Sequence, residues 1–285
     1  MKRVGAQADQ VAAVVADNSD AGTPDRLVAA AVTHFGRLDG ALLSAGGTKP
    51  GTVATTADED WRSAFESVFL GGVRLGRTLG AYLGSDSRGG GDGSIVFVLA
   101  SSVRVPLAEL AISNGLFPGL AGVVKMLAGE LGPTGTRVNG LLPVRIATDR
   151  LREFDSRSGD PDEVRARRSE DIPLRRYGEP EEFGRVAAFL LSPAASYVTG
   201  AMIPVDGGSI RAICPQTARC GRCRGVRSEP LAVVSTLTAL SGSPIRAPDS
   251  GGIYVNTIAI EGASWCAALG RSGVAAPQRI SNGCP

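Results

Sequence analysis

Two hydrophobic rhythms alternate along the first 211 residues of the chain. Residues 11–16 form an unbroken apolar run that ends at Asp17, the pattern of a strand buried on both faces. Residues 24–35 then place Leu27, Val28, Ala31, Val32 and Phe35 at helical spacing. A short strand is predicted over 39–43, closed by the turn Ser44-Ala45-Gly46-Gly47. A long helical stretch follows over 58–83, in which Gly71, Gly72 and Gly76 lower helix propensity unless close packing requires them. The pattern continues with a flexible turn over 89–93, a strand over 94–99, and a helix over 111–131 with Pro118 as its flaw. A strand is predicted over 137–142, a charged, exposed flap over 150–171, a helix over 179–191 entered through Pro180, and a closing strand over 201–205. Strands that alternate with helices at this spacing imply βαβ crossovers, hence an α/β fold: a parallel, Rossmann-like sheet with helices on both faces.

The character of the chain changes at about residue 212. Helical periodicity fades, Arg, Cys, Ser, Gly and Pro dominate, and all five cysteines (Cys214, Cys220, Cys223, Cys266 and Cys284) lie in this last quarter. Two domains are expected on this basis, an α/β domain over 1–211 and an irregular, low-order extension over 212–285. The pair Cys220 and Cys223, with Cys214 and Cys266, lacks a second paired motif or a nearby histidine, so no metal site is expected. The single histidine, His34, falls on a helix and reads as a surface residue. Thirty basic against 28 acidic residues give a net charge of +2, which favours neither nucleic acid nor a charged membrane surface as a partner. No run of 18 or more apolar residues occurs, which argues against a membrane-spanning helix, and the basic Lys2-Arg3 is followed by no apolar leader segment. A cytoplasmic protein is expected.

Several stretches, taken in order, resemble the short-chain dehydrogenase/reductase family near its 3-oxoacyl-(acyl carrier protein) reductase branch. They are Phe35-Gly36-Arg37-Leu38-Asp39 followed by Ser44-Ala45-Gly46; Leu127 to Leu131 with Gly135-Thr136-Arg137-Val138-Asn139; Ile172-Pro173-Leu174; Gly178-Glu179-Pro180-Glu181-Glu182; Tyr197-Val198-Thr199-Gly200; and Val205-Asp206-Gly207-Gly208. The resemblance spans residues 11 to 211. It implies NAD- or NADP-dependent interconversion of a carbonyl and an alcohol on a small molecule. It also implies pairing of the helices over 58–83 and 111–131 in a homo-oligomer or in a hetero-oligomer with relatives. The family opens with a strand, a glycine-rich turn that brings backbone amides to the pyrophosphate, and a helix. The match here begins near the third strand, so the first βαβ portion, on the order of 50 residues, is expected to be missing, with rearrangement where residues 11–17 would otherwise flank the sheet.

The same resemblance implies a tyrosine, a lysine four residues later, a serine and an asparagine as the active tetrad. A phenol with a pKa near about 10 needs a neighbouring cation to act near neutrality. In this chain the tyrosine position falls on Ser113, the lysine on Phe117, the serine on Ala100, or on Ser101 after a one-residue slip, and the asparagine on Val68. Ser101 and Ser113 are therefore the candidate catalytic residues. Candidate cofactor-binding residues are Asp17 toward the adenine, Ser44, Ala45 and Gly46 in the narrow turn, and Pro143, Ile146 and Thr148 toward the nicotinamide. Tyr82, Tyr177 and Tyr197 have no lysine at four residues and read as structural. Two alternatives stand beside the oxidoreductase: a catalytically inactive scaffold or interaction protein, and a truncated gene product.

Overall fold

Four short apolar segments pair side by side as parallel strands in chain order: β1 (Gly40–Ser44), β2 (Ser94–Val98), β3 (Arg137–Pro143) and β4 (Met202–Val205). The structure is a computed structural model that describes residues 11–44, 46–85 and 92–211. The extension over 212–285, with its cysteines, lies outside the described residues, as do Ala45 and most of the 89–93 turn.

Alternate side chains of each strand enter opposite cores, as the two-residue repeat requires. Ala41, Leu43, Ile95, Phe97 and Val138 face one layer, built from α1 (Thr23–Phe35), α3 (Gly71–Leu83) and α4 (Ala111–Leu131). Leu42, Val96 and Leu141 face the other, where α7 (Pro180–Leu191) supplies Phe183, Ala187 and Leu190. Helices thus cover both faces of the sheet. The helical stretch over 58–83 is continuous but not uniform. It comprises α2 (Asp58–Ala64), a π-helical segment over Phe65–Leu70, and α3.

The glycines of α3 are explained by α4. A Cβ on Gly76 would lie 2.8 Å from Leu127 Cδ1 and 2.9 Å from Phe97 Cζ, and one on Gly80 2.6 Å from Leu131 Cδ1. Gly72 meets Leu120 in the same way, which makes a stripe of one glycine per helical turn that lets the two helices approach. Gly76→Ala gains up to about 1 kcal/mol of helix propensity but overpacks this contact at a cost of about 1–3 kcal/mol. The variant is expected to melt below the wild type in a thermal unfolding experiment. A higher melting temperature would mean that the helices are not held this close.

Helix α4 runs through Pro118 without a break. Residues Ala111–Thr134 are long and apolar enough to cross a membrane by length and composition alone. Within the fold, Ile112, Leu116, Leu120 and Val124 form its buried stripe. Two motif residues of β3 explain themselves locally. Arg137 donates from Nη1 to Leu190 O at 2.7 Å and from Nη2 to Ser192 O at 3.1 Å, placing a cation on the C-terminus of α7. Asn139 donates to Val198 O at 2.8 Å and accepts from Ala201 N at 3.0 Å, pinning the chain that enters β4. At the other end of α7, Glu182 accepts from Glu179 N at 2.8 Å and from both Arg176 Nη atoms, a capping box whose carboxyl is held down at about 2.

Two expectations are corrected. Residues 11–16 are not a strand: they are irregular and join no sheet. In the resembled fold two strands separate this segment from β1, a gap of about 10 Å at the usual strand spacing of about 4.8 Å. Among the described residues nothing fills that gap, so the segment has no strand beside it to pair with. Val14 packs against the main core, and the residues just after the run rest on α3, with Asn18 buried over Gly71 and Arg74 donating to Ser19 O at 3.0 Å. Residues 150–171 are more than a flap, since they fold into α5 (Asp149–Ser156) and α6 (Pro161–Ser169). Thr148 caps α5, and Asp160, which accepts from Asp162 N and Glu163 N, caps α6.

Candidate functional site

In a parallel sheet the carboxyl ends of the strands point into one crevice, and three of the four ends carry the candidate residues. The chain leaves β1 at Ser44 and turns at Gly46, whose φ of +80° belongs to the left-handed region. Nothing lies within 4 Å of a Cβ built on Gly46, so the space above this turn is open. Beyond it, Gly51 N donates to Glu109 O at 2.7 Å and Ala111 N to Gly51 O at 3.0 Å, fastening the loop after β1 to the start of α4. The chain leaves β3 at Pro143. Arg145 follows with a φ of +51°, then buried Ile146, which bridges to Gly178, and then Thr148, the cap of α5.

After β2 comes a single 3-10 turn, Ser101–Val103. Ser101 and Ser102 are both buried, and it is Ser102 that reaches α4. Its Oγ lies 3.0 Å from Ser113 Oγ and 3.2 Å from Ser113 O. The sequence pointed to Ser101. The neighbouring serine makes the contact because the chain between β2 and α4 is fixed elsewhere, by Asn114. That side chain accepts from Leu107 N at 2.9 Å and donates to Leu107 O at 2.8 Å.

The other positions that the resemblance assigns to the tetrad are packed in the core. Phe117 is 5% exposed and Val68 3% exposed, and both belong to the main hydrophobic core. Ala100 packs against the same core. Trp61 and Phe69 cover α4 on its α2 side, against Gly115 and Gly119. Asp17 is exposed, and its carboxylate accepts from Ser19 N at 2.8 Å, a backbone hydrogen bond that lowers its pKa below the usual carboxylate value. Among the described residues no group of three His, Cys, Asp or Glu side chains is placed to hold a metal ion.

Helices α5 and α6 stand beside this crevice on a buried anchor. Asp155, 2% exposed, accepts from Tyr177 Oη at 2.9 Å, is ion-paired with Arg168, and faces Arg145 at 3.5 Å. Burial, followed by the hydrogen bond to Asp155, raises the Tyr177 pKa. The Arg165 guanidinium lies 5.2 Å from the centroid of the Tyr177 ring. A cavity of about 170 Å³ opens here, lined by Ala147, Thr148, Arg152, Asp155, Arg165 and Tyr177.

The family model described as enoyl-(acyl carrier protein) reductase matches residues 1–209. The chain belongs to the short-chain dehydrogenase/reductase family. The match begins closer to the N-terminus than the motifs quoted above. An oxidoreductase of Mycobacterium tuberculosis is 34% identical over 209 residues, which cover 72% of this chain and 75% of the relative. Cyclohexanol dehydrogenase of a Rhodococcus species is 33% identical over 215 residues, covering 68% and 70%. Among solved structures, an NADPH-bound short-chain oxidoreductase of Pseudomonas aeruginosa, described as containing an atypical catalytic center, is 28% identical with a TM-score of 0.63, covering 70% of this chain and 76% of that one.

This short-chain dehydrogenase/reductase fits its family's dinucleotide on one side. The open, left-handed turn at Gly46 leaves room for a ligand against the backbone, and Thr148 presents a hydroxyl at the start of α5. Ser113 and Phe117 stand at the positions where the resemblance places the family's tyrosine and lysine.

Proposed function

We propose that this chain is an NAD(P)-dependent oxidoreductase acting on a small carbonyl or alcohol, with Ser102 and Ser113 in place of the family's tyrosine-centred proton donor. The observation that carries the reading is the crevice at the ends of β1, β2 and β3, where Gly46, the Ser102–Ser113 pair and Thr148 stand at successive strand ends. The relatives that match include a cyclohexanol dehydrogenase and a levodione reductase, and one structural neighbour with an atypical catalytic center holds NADPH. Gly46 and Thr148 would hold the cofactor, with Ser44, Ala45, Pro143 and Ile146 shaping its walls and Asp17 toward the adenine. When bound, the nicotinamide supplies or accepts the hydride.

The proton is the chain's own task. Two serine hydroxyls hold two hydrogens. If Ser102 donates to Ser113 O, Ser113 is left to donate to Ser102 Oγ, and the pair then offers a substrate only lone pairs. Turning the Ser113 hydrogen outward gives one donor to a substrate oxygen. No cation sits one helical turn later, because Phe117 is there, so this hydroxyl polarises a carbonyl without readily surrendering its proton.

The full chain, supplied with NADPH and a panel of small ketones and diones, is expected to show slow loss of reduced-nicotinamide absorbance. Ser113→Ala should lower that rate by at least about tenfold while leaving NADPH affinity unchanged. NADPH binding with no turnover on any carbonyl would instead favour a second reading, a cofactor-binding scaffold without catalysis, which the burial of Phe117 and Val68 in the core supports. The end of the family match at residue 209 supports a division into a catalytic domain over 1–211 and a separate extension over 212–285. The outer face of α4, with Met126 exposed, is the surface we assign to a homo-oligomer contact.

A further inference from the structure

We propose that Arg150 binds the pyrophosphate of the dinucleotide, reaching across the crevice from α5 to the turn after β1; this rests on the cofactor reading above. Arg150 is the second residue of α5, which begins immediately after the Thr148 cap. Its side chain does not turn toward α6. It crosses to the turn after β1, two strands away in the sheet, where Nη2 donates to Thr48 O at 3.3 Å and the guanidinium lies directly over Gly47, in the space a Cβ on that residue would claim. The arginine therefore spans the two turns, after β1 and after β3, between which a dinucleotide must pass to lie across the strand ends.

The partners available to Arg150 set it apart from its neighbours. Arg145 and Arg168 face Asp155, Arg152 faces Asp162, and Arg165 faces Glu179. Arg150 faces a single backbone carbonyl, at the long end of hydrogen-bond distance, and no carboxylate among the described residues. A guanidinium presents its donors in a rigid fork that suits two phosphate oxygens better than one carbonyl. Two features of the same turn add to this. The Thr148 hydroxyl accepts from Leu151 N, and its own hydrogen has no acceptor among the described residues. Arg150 also stands in the first turn of α5, the end of a helix whose dipole favours an anion. Arg150 brings positive charge to this side of the crevice, where a pyrophosphate lying across the strand ends would meet it.

The test uses the full chain and measures equilibrium binding by calorimetry. Three ligands separate the groups: NADPH, ADP-ribose, which keeps the pyrophosphate without the nicotinamide, and adenosine 2′-phosphate, which lacks the pyrophosphate. Arg150→Ala and Arg150→Gln are expected to weaken NADPH and ADP-ribose by roughly tenfold or more and to leave adenosine 2′-phosphate unchanged. Arg150→Lys should recover part of the loss as a point charge without the fork. Melting temperatures of the variants should stay close to the wild type, since Arg150 is exposed and its hydrogen bond to the backbone oxygen of buried Thr48 is long, at 3.3 Å. Equal or tighter NADPH binding by Arg150→Ala, with wild-type binding intact, overturns the role of Arg150 alone. Failure of the wild-type chain to bind NADPH overturns the cofactor reading and this proposal with it.

Discussion

Asp155→Ala is expected to lower the melting temperature by roughly 10 °C, because it removes one partner of a buried ionic cluster and leaves the others uncompensated. Asp155 is almost wholly shielded from water. It receives the Tyr177 hydroxyl at 2.9 Å and the Arg168 guanidinium, and it faces Arg145 at 3.5 Å. These contacts tie α5 to α6, to the turn after β3 and to the segment that enters α7. Breaking a buried pair from one side costs about 3–5 kcal/mol, far more than any of the exposed pairs on these helices, such as Arg152–Asp162. Asp155→Asn keeps the shape and one acceptor and should lose less. A thermal melt of the two variants decides the matter. If Asp155→Ala melts within about 2 °C of the wild type, the cluster is not what holds α5 and α6 in place.

Phe117→Lys, which restores the family's lysine, is expected to destabilise the fold by more than about 4 kcal/mol rather than to restore chemistry. Phe117 belongs to the core with Leu120, Ala121 and Val124 from its own helix and Phe97 from β2. Replacing the ring with an ammonium removes that packing and buries a charge for which this layer holds no partner carboxylate. Phe117→Leu, close in size and chemistry, should cost less than about 1.5 kcal/mol. Urea titration gives both numbers. A Phe117→Lys protein as stable as the wild type would show that position 117 opens to the crevice, and the case for an altered proton donor would fall with it.

Most of the fold was legible because it rests on local rules. Short apolar runs marked β1 to β4, helical spacing marked α1 and α4, and Pro180 marked the entry to α7. The assignment of the tyrosine position to Ser113 rests on the resemblance, and the helix that carries it runs without a gap from Ser113 to Lys125 and Leu127. What was not legible depends on distant partners. The apolar run over 11–16 reads as a strand by composition, but a strand needs a neighbour for its backbone groups, and the anchoring of Asn18 and Ser19 on Gly71 and Arg74 just beyond it is invisible from the run itself. Ser102 rather than Ser101 meets Ser113 because Asn114 fixes the intervening loop, a tertiary clamp with no signature in spacing. Arg150 reads as one charge among many until its side chain is seen to cross to Gly47 and Thr48.

The proposed reading stands on a dinucleotide crevice at the carboxyl ends of β1 and β3. Amide hydrogen exchange of the full chain, with and without saturating NADPH, tests it most directly. The account predicts slowed exchange in two separate stretches, the turn over 46–48 and the segment over 146–152, with little change in α6 or in the outer turns of α7. Unchanged exchange in both stretches at millimolar NADPH, or protection confined to some other part of the chain, would contradict it.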